Sequence, residues 1–348
     1  MTDYLPPAGT PGFQPARVVE VIRETPSTVT VVFATDTPLA YRPGQFVRIE
    51  FLFGRGRYRR AYSLCSVPGD PYPAITVKQV PGGKVSEHIV RRLAVGDTFR
   101  VSAAEGAFLL PDSRAGRRFV LLAGGSGITP VMSLLRTLLA MPQPPSVTLL
   151  YYSHSSDDII FRAALHELAG RHPSFDLRLF VTGPRESWDG PVEPFSERHL
   201  AAAAPDPASA LYYLCGPEAL LATACSLLAG LGVPPGQVLV EHFATPPIHE
   251  RPAEGHLLTF LHRGLLVSRR TKVKGRPGES LLDAAERSGL RTRSRCRNGS
   301  CGSCRAVLVR GDVVMDEPNS LTVNDARAGR ILTCISYAVT PAIIDLRN

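Results

Sequence analysis

Four cysteines constrain this chain more tightly than any other feature. Cys296, Cys301 and Cys304 stand at C-x4-C-x2-C spacing, and Cys334 follows thirty residues after the last of them. That pattern is the ligand arrangement of a 2Fe-2S cluster, in which four thiolates converge on two irons bridged by sulfides. The sulfides carry negative charge, so backbone N–H groups must turn inward toward them. Gly299 and Gly302 supply the conformational freedom for that turn. Cys334 sits in Arg330–Ile335, which reads as a strand returning past the loop. A structural zinc site would bring two short-spaced pairs of ligands, and the sequence has no second pair and no neighbouring histidine. Seven cysteines is an odd number and no secretory leader is visible, which argues against a disulfide framework. Cys296, Cys301, Cys304 and Cys334 are therefore the expected metal ligands. A centre that moves single electrons needs a donor, and the rest of the chain is expected to feed it.

Its 348 residues allow two or three domains, each with its own core. No run of eighteen apolar residues occurs. Residues 119–141 come nearest, but Gly124–Gly127, Pro130 and Arg136 break them into strand, loop and helix. The expectation is a soluble, cytoplasmic protein with no membrane partner. The net charge of +8 is unevenly spread: residues 1–254 hold 23 Lys/Arg against 23 Asp/Glu, and residues 255–348 hold 16 against 8. No aromatic interleaving accompanies this basic excess, so no nucleic-acid partner is expected. Two readings stay open for it, a solvated basic surface or a docking face for an acidic protein. Charge complementarity of the second kind would raise encounter rates about 10- to 1000-fold at low salt.

Between Ala16 and Val101 short β runs (17–22, 28–33, 45–51, 75–79 and 98–101) alternate with Pro/Gly turns, the pattern of an antiparallel barrel. From Arg117 the period changes. Apolar strands at 119–123, 146–152, 176–181, 211–215 and 238–242 alternate with helices near 157–170, 196–203 and 217–231, which implies a parallel α/β sheet. Gly124, Gly125 and Gly127 form a tight turn after the first of these strands, with Thr129 expected as helix N-cap and Pro130 at the first helical position. After a Pro-bearing linker come two strands, a helix near 280–288, the cysteine loop and further strands. The expected division is a barrel at 14–113, an α/β domain at 114–244, a linker at 245–255 and an α+β β-grasp domain at 256–348.

Several short segments carry a family resemblance. Arg60-Ala61-Tyr62-Ser63 resembles the flavin motif of the ferredoxin–NADP reductase family, and Gly83-Lys84-Val85-Ser86 resembles its second phosphate-binding segment. Gly125-x-Gly127 with Pro130 resembles its Gly-x-Gly-x-x-Pro dinucleotide turn, and Cys215-Gly216-Pro217 its segment beside the nicotinamide ring. Glu241-His242-Phe243 resembles the domain-terminal segment whose aromatic residue lies near the flavin. The cysteine loop is similar to that of plant-type ferredoxins. The order flavin, nicotinamide, iron–sulfur resembles the reductase components of multicomponent oxygenases, such as those serving phenylacetyl-CoA epoxidation or ketosteroid hydroxylation.

The resemblance implies an NAD(P)H-dependent oxidoreductase that passes electrons through FAD and a 2Fe-2S cluster to an oxygenase or hydroxylase partner. It implies Ser63, Cys215 and Glu241 at the reacting centre. Arg60, Ala61, Tyr62, Ser63, Gly83, Lys84, Val85, Ser86, Gly124, Gly125, Gly127, Thr129, Pro130, Cys215, Gly216 and Phe243 are implied to hold the flavin and the dinucleotide. FMN is the alternative flavin, used by relatives of the phthalate dioxygenase reductase type. NADH against NADPH stays open, since Ser153 and His154 stand where a carboxylate or an arginine would decide it. A flavin and iron–sulfur redox sensor, or an electron-transfer component of a larger flavoenzyme, are the rival readings. Arginines around the cysteine loop, Arg291 to Arg305, are expected to hold the cluster less negative than the roughly −400 mV of plant-type centres. His88 and His166 are expected on helix surfaces, Cys65 and Cys225 in packing, and Trp188 in a loop without chemical company.

Overall fold

The computed structural model describes residues 12–53, 56–80, 83–113, 116–183, 188–243, 252–263, 268–294, 302–316, 321 and 323–347. The first third is a barrel of β1 (Phe13–Thr25), β2 (Thr28–Thr35), β3 (Phe46–Phe53), β4 (Gly56–Ser63), β5 (Ala74–Lys78) and β6 (Thr98–Ser102), with helix α1 (Lys84–Arg92) across it. Neighbours run β4-β3-β6-β1-β2-β5. The sheet curls shut where Leu64, just past β4, bridges to Ile75 and the Cys65 amide donates to the Ala74 carbonyl. Alternation puts Val29, Val31, Phe33, Val47, Ile49 and Phe51 inside, all at 2% exposure or less. β4 is a full strand, and the flavin motif is its last half. The arginines at 57, 59 and 60 hide its alternation from sequence.

The middle third is a parallel sheet of β7 (Arg118–Gly124), β8 (Ser146–Ser153), β9 (Phe175–Val181), β10 (Ala210–Gly216) and β11 (Val238–His242). Helices α2 (Ile128–Leu139), α3 (Arg162–Arg171), α4 (Glu197–Ala203) and α5 (Glu218–Gly230) connect them. The order β11-β10-β7-β8-β9 reverses between β7 and β10, and such a reversal opens a crevice at the strands' C-terminal ends.

Two expectations at α2 are corrected. Gly127 holds the N-cap place, Thr129 is the helix's second residue and Pro130 its third. Proline is still tolerated, because first-turn amides have no intrahelical acceptor. Thr129 Oγ1 donates backward to the Ser126 carbonyl at 3.0 Å rather than capping forward.

The last third holds β12 (Leu257–Arg263), β13 (Ser268–Lys274), α6 (Leu281–Arg287), β14 (Arg305–Arg310), β15 (Val313–Met315), α7 (Val323–Arg327), β16 (Arg330–Leu332), β17 (Ser336–Ala338) and β18 (Ala342–Asp345). Five of these strands form a mixed sheet in the order β13-β12-β18-β14-β16, on which α6 buries Leu281, Leu282, Ala284 and Ala285. β15 and β17 leave that sheet. They pair with each other, and β15 pairs in parallel with β4 through Val313–Gly56 and Val314–Arg57. The barrel's sheet thereby becomes eight-stranded, and one buried apolar core runs from Phe51 and Tyr58 through Met315 to Leu332 and Ile335. The expected linker lies outside the described residues as far as 251.

Barrel and parallel sheet also share a core, in which Cys65, Phe108 and Leu110 pack with Leu134, Tyr213 and Cys215. Arg136 grips Asp70 with two hydrogen bonds of 2.7 and 2.9 Å, Ser133 Oγ donates to the Ser66 carbonyl, and Tyr213 Oη donates to the Leu109 carbonyl. Four smaller expectations change or hold. His88 is half-buried with its ring edge-on to Phe51 and Phe53, so burial lowers its pKa to about 4. Trp188 is 9% exposed, donates to the Pro191 carbonyl and carries the Arg162 guanidinium over its ring. His166 is exposed as expected, and Cys65 is buried.

Candidate functional site

The cleft sits where the sheet order reverses. It encloses about 370 Å³ and is lined by Lys78, Gly124, Gly125, Ser126, Gly127, Gly216, Pro217, Glu218 and Phe243. Two turns make its floor, one after β7 and one after β10, which pair through Leu214–Leu122 and Cys215–Ala123. They touch so closely that a Cβ on Gly127 would stand 2.1 Å from the Cys215 carbonyl oxygen. Gly125, at φ +52, faces open space instead. A short 3-10 turn, Gly125–Gly127, then leads into α2, whose unsatisfied first amides favour an anionic group. Narrow glycine contacts behind and open amides in front suit the diphosphate of a dinucleotide.

Cys215 and Glu241 are register partners on β10 and β11, at the same end of the sheet. Burial pushes the Cys215 thiol up, and the Glu241 charge pushes it further, so the thiol stays protonated. Burial alone raises the Glu241 carboxyl to about 7. Its Oε2 is buried with no hydrogen-bond partner among the described residues. Phe243 follows β11 and lines the cleft at 43% exposure, a large aromatic left half in solvent. His242 turns outward to Glu218, 3.0 Å from its carboxylate.

Across the domain boundary, β4 carries Arg60, Ala61, Tyr62 and Ser63. The pleat sets Arg60 and Tyr62, both half-buried, on one face, and puts exposed Ala61 and buried Ser63 on the other. Ser63 lies two residues before Cys65, which belongs to the core shared with Cys215. The Arg60 guanidinium donates to the Arg59 carbonyl at 2.6 Å. In α1, Lys84 behaves differently from a solvent-facing phosphate ligand: it is 1% exposed, with its ammonium 5.5 Å from the Tyr58 ring. Ser86 Oγ donates to the Gly83 carbonyl and accepts the Val80 amide, which fixes the turn into the helix. Val85 is fully buried, so this segment offers a ligand backbone amides rather than side chains. A forked cation, a ring and a hydroxyl on one strand, next to a helix start, match what a flavin and its diphosphate require.

Of the four expected cysteine ligands, two lie among the described residues. Cys296 and Cys301, with Gly299, lie outside the described residues. Cys304 precedes β14, and Cys334 falls in a 3-10 turn, Thr333–Ile335, just beyond β16 rather than in the expected strand. β14–β16 pairing at Arg305–Leu332 brings the two together. The Thr333 amide and hydroxyl both donate to the Cys304 carbonyl, at 3.1 and 3.2 Å. The sulfurs stand 3.2 Å apart, and that contact is the main cause lowering the Cys304 pKa. Two converging, largely buried cysteines, with the Cys304 thiol pulled toward thiolate and Gly302 at φ +67 beside them, fit iron ligation. No cysteine among the described residues is in a disulfide.

Lys78 and Glu218 line the cleft without a motif that singles them out in the sequence, while Ser126 and Pro217 lie inside the glycine turn and the Cys-Gly-Pro segment but are not among the expected site residues. Lys78 ends β5 and reaches across the boundary to Asp158, 3.1 Å away. A lysine closing an apolar strand is its only local signal.

Comparison with known proteins agrees with this division. Residues 15–109 match the oxidoreductase FAD-binding domain, 121–226 the oxidoreductase NAD-binding domain, and 266–339 the 2Fe-2S iron-sulfur cluster binding domain. The chain is 30% identical to a subunit of the 1,2-phenylacetyl-CoA epoxidase of Escherichia coli, over 95% of this chain and 97% of that protein. It is 31% identical to the glycine betaine monooxygenase reductase subunit of Pseudomonas aeruginosa, over 94% of each. Phthalate dioxygenase reductase shares the fold across 97% of this chain and 98% of its own, at a TM-score of 0.57 and 24% identity.

Proposed function

Because the chain belongs to the family of FAD- and 2Fe-2S-containing reductase components of oxygenases, we propose that it draws electrons from NAD(P)H and delivers them singly to an oxygenase partner. The observation that carries this reading is β4. Its final residues hold the flavin motif, and its first residues pair with β15, the strand whose antiparallel partner β17 follows Cys334.

When bound, the flavin would accept one hydride, two electrons together, and the cluster would accept one electron at a time, which is the chemistry the protein must serve. The chain's own part is placement. The Gly125–Gly127 turn and the start of α2 hold the dinucleotide's diphosphate. Cys215 and Gly216 form the floor beneath its reactive ring, and Phe243 occupies the opening. Arg60 neutralises the flavin's diphosphate, Tyr62 covers its ring, and Ser63 offers a hydroxyl at its reactive edge. Glu241, near neutrality, can hold or release a proton a register step from Cys215. Cys296, Cys301, Cys304 and Cys334 hold the irons. β17 lies two strand positions from β4, about 10 Å across the sheet, which keeps the cysteine centre close to the flavin strand.

The electron acceptor is a protein with an acidic docking face. Arg291, Arg293, Arg305 and Arg330 are exposed; Arg305 follows Cys304 directly, and Arg305 and Arg330 share the carboxylate of Asp325. Among the described residues no helix is long and apolar enough to cross a membrane. We place the reaction in the cytoplasm, where thiol ligands stay reduced.

The test is anaerobic mixing of the holoprotein with NADH or NADPH, then with ferricyanide, cytochrome c or a cognate oxygenase. Rapid reduction of all three is expected, with the rate to the oxygenase falling steeply between low and physiological salt. No turnover with any acceptor would instead favour a sensor. A salt-independent rate would remove the acidic docking face.

A further inference from the structure

One hydroxyl holds the glycine turn of the cleft from behind. Tyr151, on β8, is 1% exposed. Its Oη donates to the Gly125 carbonyl at 3.1 Å and accepts the Ile160 amide at 3.2 Å. Both ends of this link are unusual backbone. Gly125 has φ +52, and Ile160 precedes Phe161, at φ 61 the non-glycine residue in the left-handed region among the described residues. Bulky side chains adopt that conformation rarely, so the turn carrying Ile160 is one that its surroundings must hold in place.

We propose that Tyr151 is a positioning residue for the dinucleotide's diphosphate, and this rests on reading the cleft as the dinucleotide site. In a trans peptide the C=O and the following N–H point in opposite directions. The Gly125 carbonyl is taken from behind by Tyr151 Oη and, within the 3-10 turn, by the Ile128 amide. The Ser126 N–H of the same peptide therefore points the other way, toward the cleft that Ser126 lines. Glycine is the residue that most easily lets such a peptide flip. Flipped, the carbonyl would present its negative end to an anionic ligand and withdraw a donor. Tyr151 prevents this, because rotation would strand its buried hydroxyl. The hydroxyl never touches the ligand. It acts through the direction of one peptide, as preorganised donors do elsewhere.

The test uses the flavin- and cluster-loaded Tyr151→Phe protein. One lost hydrogen bond of this type corresponds to a roughly tenfold rise in KM for NADH and in Kd for ADP. kcat at saturating NADH, and the Kd for adenosine, which has no phosphate, stay as in wild type. Tyr212→Phe is the matched control: Tyr212 is equally buried, but its hydroxyl donates to the Pro207 carbonyl, away from the cleft. It should change neither constant. Gly125→Ala should weaken ADP binding by itself, and adding Tyr151→Phe should weaken it no further, since both act on one peptide. Wild-type ADP affinity in Tyr151→Phe overturns the proposal, as does equal weakening of adenosine and ADP, or full additivity in the double variant. A wild-type protein that binds neither NADH nor ADP would overturn the dinucleotide reading itself.

Discussion

Glu241 shows how much one residue's chemistry depends on where the sheet puts it. Its carboxyl rises from an ordinary 4.5 to about 7 because burial penalises the charge. The folded protein therefore holds a proton that the unfolded chain has already lost. This contribution to stability is complete below the ordinary carboxyl range and disappears as pH climbs through about 7. Glu241→Gln should flatten the fall in Tm between about pH 5 and about pH 8. It should also remove an inflection near 7 in the pH profile of NADH oxidation. Matching slopes in the two proteins would show that the carboxyl ionises freely. None of this can be read from the letters Glu241-His242, since burial is set by β10 and α5, not by neighbours in sequence. Tyr151 is hidden for the same reason. Inside the apolar run 147–152 it reads as bulk, and its hydrogen-bond partners lie 9 and 26 residues away. Arg60, Ser63 and the cysteines are legible because the flavin and cluster proposed for them would dictate residue type and spacing directly.

Among the elements, β15 matters beyond its three residues. It pairs with the first part of β4 on one side and with β17 on the other, and the Met315 sulfur accepts the Leu332 amide two residues before Cys334. Asp316 adds a bond from its amide to the Ile335 carbonyl. Val314→Pro would remove a ladder donor from the middle of this junction. Anaerobic stopped-flow should then show flavin bleaching by NADH at the wild-type rate, followed by cluster reduction slowed about tenfold or more. Two unchanged phases, with cluster content intact, would mean that the junction does not set the second step. Sequence does not reveal β15 or β17, because three residues are too few for alternation to be read. A parallel pairing between domains also leaves no turn signal behind. The start of α2 departs from expectation more narrowly. Thr129 looks like an N-cap and Pro130 like a first helical residue, but the 3-10 turn at Gly125–Gly127 begins the winding earlier.

At the scale of the whole molecule, the order of three parts and the class of each are visible in sequence, since each carries its own period and its own motif. Their mutual attachment is not. A proline-bearing segment after Phe243 suggests a tether that limits, without fixing, the separation of the two electron carriers. The parts are instead joined by shared core, by the Arg136–Asp70 pair and by strands crossing from one part into another's sheet. That sheet limits how such reductases can be recombined. A foreign ferredoxin spliced on at the linker would bring its own irons but not the β15–β17 pair, and the head of β4 would be left as a bare edge open to any passing strand. Such a chimera should self-associate in gel filtration, and carrying residues 312–339 across with the barrel should restore a monodisperse protein.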